Sequence, residues 1–284
     1  MILFKDIPED RIVADYLGEK FNIAAAKDRV GGHNRTEMLT FTNVVNSNQL
    51  LEEVWNFYMN VGVSTWQSRD NITLYGASLF VNPDHDPSIW YKGSFGSNKF
   101  RSLSQEEYYD APVRTEVYGG GKNDYQDIYA FRKLHPFVED NSPGLTRFFE
   151  SFNFPVCRVT ARTLNGMFPI GGGYHIDTKD SFHLRFNLCL STNGEFGLAY
   201  KDGTKVMFEP AQMHMVNSAL HHSAYARSRC NFQRTNLVID VLPWYRYDPI
   251  ADGWEPNEYF GKIHPYDMVK QGIVKFGTGK HIAI

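Results

Sequence analysis

The chain has 284 residues, room for one large domain or two small ones. Hydrophobic residues make up 42% and charged residues 21%, a balance that builds a packed core and excludes wholesale disorder. The formal net charge of −3 excludes the basic surplus that a nucleic-acid binder needs.

Aromatic residues stand at 15%, which favours a β-rich fold because flat rings pack well on a pleated surface. Cys157, Cys189 and Cys230 are odd in number and irregular in spacing. They form no disulfide framework and suit a reducing compartment. The first residues carry acids from Asp6 onward and no long apolar core, unlike a signal peptide. No apolar run reaches the roughly 18 residues of a membrane span. The expectation is a soluble, cytoplasmic protein with no membrane and no nucleic-acid partner.

In chain order, residues 1–60 look mixed, and Asn48 is placed to cap a helix over Gln49–Met59, with Leu50, Leu51, Val54, Trp55 and Tyr58 at helical spacing. Residues 61–150 alternate strand-like runs (Ile72–Tyr75, Ser78–Val81) with turn clusters at Asn82-Pro83-Asp84 and Gly119-Gly120-Gly121. Pro143 then opens a helix over Gly144–Phe152. Residues 155–245 read as strand after strand: Val156–Leu164, Tyr174–Asp177, His183–Leu190, Leu198–Tyr200, Lys205–Phe208, Met213–Asn217 and Thr235–Val241. The third alternates cleanly, with Leu184, Phe186, Leu188 and Leu190 on one face and His183, Arg185, Asn187 and Cys189 on the other. Asp202-Gly203 marks a hairpin. Short strands separated by turns point to a barrel or jelly roll. The expected organisation is one domain. Residues 1–150 support the core, 150–245 form it, and 246–284 are a C-terminal tail packed on it.

Five of the ten histidines fall between positions 175 and 222. In a strand, residues i and i+2 share a face, so His175 and Asp177 present an imidazole and a carboxylate side by side. With a histidine from a distant strand they would make a two-His-one-carboxylate facial triad, which holds Fe(II) and leaves positions open. His221-His222 supplies that histidine 46 or 47 residues after His175. Arg234 follows and opens an apolar strand. A planar guanidinium there suits the far carboxylate of a chelating 2-oxo acid. Arg162 and Arg185 lie on flanking strands.

Four stretches resemble the aspartyl/asparaginyl β-hydroxylase family of Fe(II)/2-oxoglutarate-dependent oxygenases, which includes proline-hydroxylase-like members. They are Phe154–Leu164 leading into Pro169–Asp177, His183–Leu190, Val216–Ala224, and Arg234–Asp240 with its Asp six residues after the Arg. The resemblance covers about residues 150–242. It implies a mainly β, double-stranded β-helix (jelly-roll) fold with flanking helices. It also implies Fe(II), 2-oxoglutarate and O₂ as cofactor and co-substrates, and a hydroxylase acting on an unactivated C–H bond. His175, Asp177 and His222 are the implied metal ligands, with His221 as the alternative third. Arg234 is the implied 2-oxoglutarate anchor, with Arg185 and Asn187 near the co-substrate; Asn187 stands where members often carry His. Because Asp177 is present, hydroxylation is expected over halogenation. The expected substrate is a free amino acid or small derivative, with Arg162 placed to meet its carboxylate. The alternatives are an Asp, Asn or Pro residue in a protein or peptide, and a non-catalytic jelly-roll binding protein. The remaining histidines, His214, His33, His135, His264 and His281, are expected to be structural, and Asp84-His85-Asp86 a solvated turn.

Overall fold

The computed structural model describes residues 1, 3, 40–41, 46–67, 73–81, 131–167, 174–175, 182–218, 220–227 and 231–275. Before the core come β1 (Thr40–Phe41), α1 (Ser47–Asn60), β2 (Ser64–Gln67), β3 (Thr73–Ser78), β4 (Phe80–Val81), β5 (Lys133–Leu134), α2 (Pro136–Asn141) and α3 (Pro143–Glu150). The core strands are β6 (Val156–Met167), β7 (Leu184–Ser191), β8 (Phe196–Tyr200), β9 (Lys205–Met207), β10 (Met213–Val216), β11 (His222–Ala226) and β12 (Asn231–Val241). A hairpin, β13 (Tyr245–Asp248) and β14 (Gly253–Pro256), and α4 (Pro265–Lys270) follow.

One antiparallel sheet runs β1-β10-β7-β12-β6-β3-β2, and a second runs β11-β8-β9. His175 pairs with His222 in an isolated antiparallel bridge and so extends the second sheet past β11. From β6 onward the chain therefore visits the sheets in the order large, small, large, small, small, large, small, large. That winding is a double-stranded β-helix. The expected strand at Tyr174–Asp177 is represented by the His175 bridge; Asp177 lies outside the described residues, as do the turn clusters at 82–84 and 119–121 and His33, His85 and His281.

The alternation read in β7 sorts its side chains between two cores. Leu184, Phe186, Leu188 and Leu190 join the main core, where Leu50, Val54 and Phe57 of α1 and Leu145, Phe148 and Phe149 of α3 pack with them. Cys189 joins a second cluster with Leu164, Phe196, Leu198, Tyr200, Phe208 and Val216, drawn from both sheets. Helices thus cover the outer face of the large sheet and the small sheet covers its inner face. For this reason both faces of β7 are buried.

Local signals place the helices. Asn46, extended at φ −75° and ψ 90°, caps α1 by accepting from Gln49 N–H at 3.3 Å, so the cap lies two residues before the expected Asn48. α3 starts at Pro143 as expected but stops at Glu150, two residues early. Its first amides, Gly144 and Leu145, donate to the Glu53 carboxylate of α1 at 2.9 and 2.7 Å, which ties the two helices together. α2 and α4 both start on His-Pro: the Nδ1 atoms of His135 and His264 accept from Phe137 and Tyr266 N–H at 3.0 and 3.3 Å. After the last core strand, Trp244, Tyr245, Trp254, Tyr266 and Met268 are buried in the main core, and Trp244 Nε1 donates to the Ile263 carbonyl at 2.7 Å. Among the described residues no helix is long and apolar enough to cross a membrane.

Candidate metal and anion site

A pocket of about 140 Å³ opens between the two sheets. The small sheet contributes His175, His222, Gly197, Leu198 and Ala224; the large sheet contributes Arg162, Leu164, Arg185, Asn187, Val216, Arg234, Asn236 and Val238. Its position follows from strand alternation: Arg234, Asn236 and Val238 are every second residue of β12, and all turn inward.

His175 and His222 are locked together through the backbone. His175 N–H donates to the His222 carbonyl at 2.9 Å and His222 N–H to the His175 carbonyl at 3.0 Å. Their rings lie 4.7 Å apart, tilted by 50°. His222 Nδ1 sits 2.8 Å from the Leu220 carbonyl, which can only accept, so Nδ1 carries the proton. Metal-binding imidazoles are commonly held through their other nitrogen by a carbonyl in this way. His221 points away: it is exposed and does not line the pocket. The structure therefore brings His222, not His221, to His175. Among the described residues no three His, Cys, Asp or Glu groups gather as a metal site. The two imidazoles fit a facial triad whose carboxylate would come from Asp177.

Arg234 is buried on the opposite wall. Its guanidinium carbon lies 3.8 Å from the centre of the Phe196 ring and 5.4 Å from that of Phe208. Among the described residues no carboxylate pairs with it. Burial pulls its pKa down to about 9, and nearby Arg162 pushes the same way, yet at neutral pH it stays charged. A buried, unbalanced guanidinium is costly unless an anion joins it.

Arg185 reaches the same pocket in a different state. Its Nε and Nη2 donate to the two Asp240 oxygens, each at 2.7 Å, a bidentate pair. His183 Nε2 lies 3.3 Å from Asp240 Oδ1. Burial by itself would raise the Asp240 carboxyl, but Arg185 and His183 outweigh it and hold it below the usual range. Asn187 accepts from Asn236 Nδ2 at 2.8 Å. Half-buried Arg162 is the register partner of Asn236, and its Nε donates to Thr160 Oγ1 at 3.3 Å. His214 is buried against the Phe208 ring, and burial lowers its pKa to about 4. Cys157 and Cys189 are buried free thiols.

The sequence reading did not name the partners of these residues. Asn236 could have been found by stepping two residues along the strand from Arg234. Asp240 was visible as part of a motif, but its pairing depends on the register between β12 and β7. Phe196 and Phe208 carry no signal beyond being apolar.

No family model and no curated protein matches this sequence. Several solved structures are similar at low identity. The epimerase SnoN in complex with Fe³⁺, α-ketoglutarate and nogalamycin RO matches at 8% identity and TM-score 0.40, over 83% of this chain and 93% of SnoN. An oxidoreductase of the 2OG-Fe(II) oxygenase family from Burkholderia pseudomallei matches at 11% and 0.36, over 81% of this chain and 95% of its own. A Pseudomonas putida prolyl-4-hydroxylase matches at 13% and 0.32, over 78% of this chain and 98% of its own. At these levels of likeness, the functional reading rests on the pocket itself.

Proposed function

We propose that the protein is an Fe(II)/2-oxoglutarate-dependent oxygenase of the aspartyl/asparaginyl β-hydroxylase type, and that it hydroxylates a C–H bond of a free amino acid or small amino-acid derivative. The observation that carries this reading is one pocket holding a backbone-locked histidine pair and, on its far wall, a buried guanidinium without a carboxylate partner among the described residues. The first suits a metal and the second suits the distal end of a dicarboxylate.

His175, Asp177 and His222 would hold the iron. Bound iron supplies the chemistry that couples O₂ and 2-oxoglutarate to C–H oxidation, giving succinate, CO₂ and the hydroxylated product, with one oxygen atom in succinate and the other in the product. The chain's residues do the rest. Leu220 fixes the His222 ring through Nδ1. Arg234 binds the far carboxylate of 2-oxoglutarate, and Asn187 lies along the same wall. Arg185, its charge balanced by Asp240, is the weaker contact to the co-substrate. Leu164, Leu198, Val216 and Val238 keep water from the reacting end. Arg162 takes a carboxylate of the substrate.

Succinate release on incubation with Fe(II), 2-oxoglutarate and a panel of amino acids tests this. The expected result is stimulation by one acid or a small group of them. In Arg162→Ala the KM for that amino acid rises at least tenfold while the KM for 2-oxoglutarate is unchanged. Stimulation by peptides alone would replace the free-amino-acid reading with the protein-residue one. No 2-oxoglutarate turnover under any condition would sink the oxygenase reading.

A further inference from the structure

We propose that Phe196, backed by Phe208, is a positioning residue for Arg234, and that it sets the pocket's preference for a 2-oxo acid bearing a second carboxylate. This rests on the reading of Arg234 as the anchor for the distal carboxylate of 2-oxoglutarate.

The geometry is a cation set over an aromatic ring. The guanidinium carbon of Arg234 stands 3.8 Å from the centre of the Phe196 ring, and the second ring lies 5.4 Å away. All five N–H donors of a guanidinium lie in its plane. A ring packed at this distance restricts how that plane can turn, while donors directed away from the ring stay available to an anion. For Arg185 that task falls to the two Asp240 oxygens. For Arg234 no described carboxylate performs it, and the ring is what remains. The aromatic face also attracts the cation and keeps water off it, which strengthens its pull on an anion.

The platform is rigid. Phe208 N–H donates to the Phe196 carbonyl at 2.9 Å, extending the β8–β9 hairpin. Beside Phe196, a Cβ on Gly197 would lie 2.0 Å from the Val206 carbonyl oxygen, so the two strands approach too closely for any other residue. The two rings stand 5.8 Å apart, and Phe208 packs in turn on the His214 ring at 5.2 Å. Movement of the Phe196 backbone would have to displace the hairpin.

The test uses the manganese-loaded protein and calorimetric titration with two acids: 2-oxoglutarate, and 2-oxobutanoate, which keeps the keto-acid end and lacks the far carboxylate. Phe196→Leu should bind 2-oxoglutarate about tenfold more weakly, with 2-oxobutanoate unchanged. Phe196→Tyr keeps the ring and should stay within about twofold of wild type. Phe208→Leu should follow the same pattern with a loss of roughly threefold, and stands in if Phe196→Leu does not fold. Equal weakening toward both acids would show packing alone and overturn the proposal, as would unchanged 2-oxoglutarate binding in Phe196→Leu. If wild type binds the two acids equally, Arg234 is not the anchor, and this proposal falls together with the reading beneath it.

Discussion

Arg185 and Arg234 lie on neighbouring strands, face the same pocket and are both buried, at 2% and 7% exposure. Their surroundings differ in one respect. Arg185 is clasped by both oxygens of Asp240, while Arg234 lies on an aromatic ring with no carboxylate beside it among the described residues. A charge that the fold has already balanced braces the fold. A charge that the fold leaves unbalanced, at a cost, is held for something that arrives later. The same residue type on one sheet face therefore serves two purposes, and the partner distinguishes them.

The largest effect should come from breaking the balanced pair. Asp240→Ala strands the Arg185 cation and should cost about 3–5 kcal/mol in urea denaturation at neutral pH. The folded pKa of Asp240 is depressed, so its contribution is in place above the unfolded value of about 4 and is lost as pH falls through the folded value. The double variant Asp240→Leu with Arg185→Met should recover most of the loss, because neither charge is then left alone. Arg234→Met should do the opposite. It removes a cation that no described carboxylate balances, so stability should hold or rise by about 1 kcal/mol. Affinity for 2-oxoglutarate should fall about a hundredfold, the weight of a charge-assisted pair. A large loss of stability in Arg234→Met would erase the contrast between the two arginines.

Glu53 sharpens the comparison from outside the pocket, as a buried carboxylate balanced by helix amides rather than by a cation. Glu53→Ala should cost about 1–2 kcal/mol, measured by denaturation, with no change in ligand affinity. The smallest effect concerns buried imidazoles. Burial lowers the pKa of both His135 and His214 to about 4, so the folded state favours their neutral forms. Their contribution is complete above the unfolded value of about 6.5 and declines as pH falls toward 4. His214→Phe should flatten the stability profile across that window.

The legible parts of the fold were those written in local periodicity. The alternation of Leu184, Phe186, Leu188 and Leu190 identified the outward face of β7, and the spacing of Leu50, Val54 and Tyr58 identified the buried face of α1. The α1 cap was misplaced because Asn46 and Asn48 are equivalent by residue type, and only backbone geometry selects Asn46. β2, the β13–β14 hairpin and α2 are too short to show a period, although the His-Pro starts of α2 and α4 could have been read as caps. In the site, His175, His222 and Arg234 were legible because they sit at recognisable spacings in strands. The division of Arg185 from Arg234 was not, because it depends on which residue of β12 the register places beside β7. The polar face of β7 was expected to place Arg185 and Asn187 near the co-substrate, and both line the pocket that the second sheet closes over.

The most direct measurement is an anaerobic titration with Fe(II) and 2-oxoglutarate, following the weak visible charge-transfer band of an iron-bound 2-oxo acid. Wild type would be compared with His175→Ala, Asp177→Ala, His222→Ala, His221→Ala and Arg234→Met. The expected result is a band in wild type and in His221→Ala, lost or sharply weakened in the other four. A band that survives His222→Ala, or no band in wild type loaded with Fe(II), would contradict the assignment of this pocket as an iron and 2-oxoglutarate site.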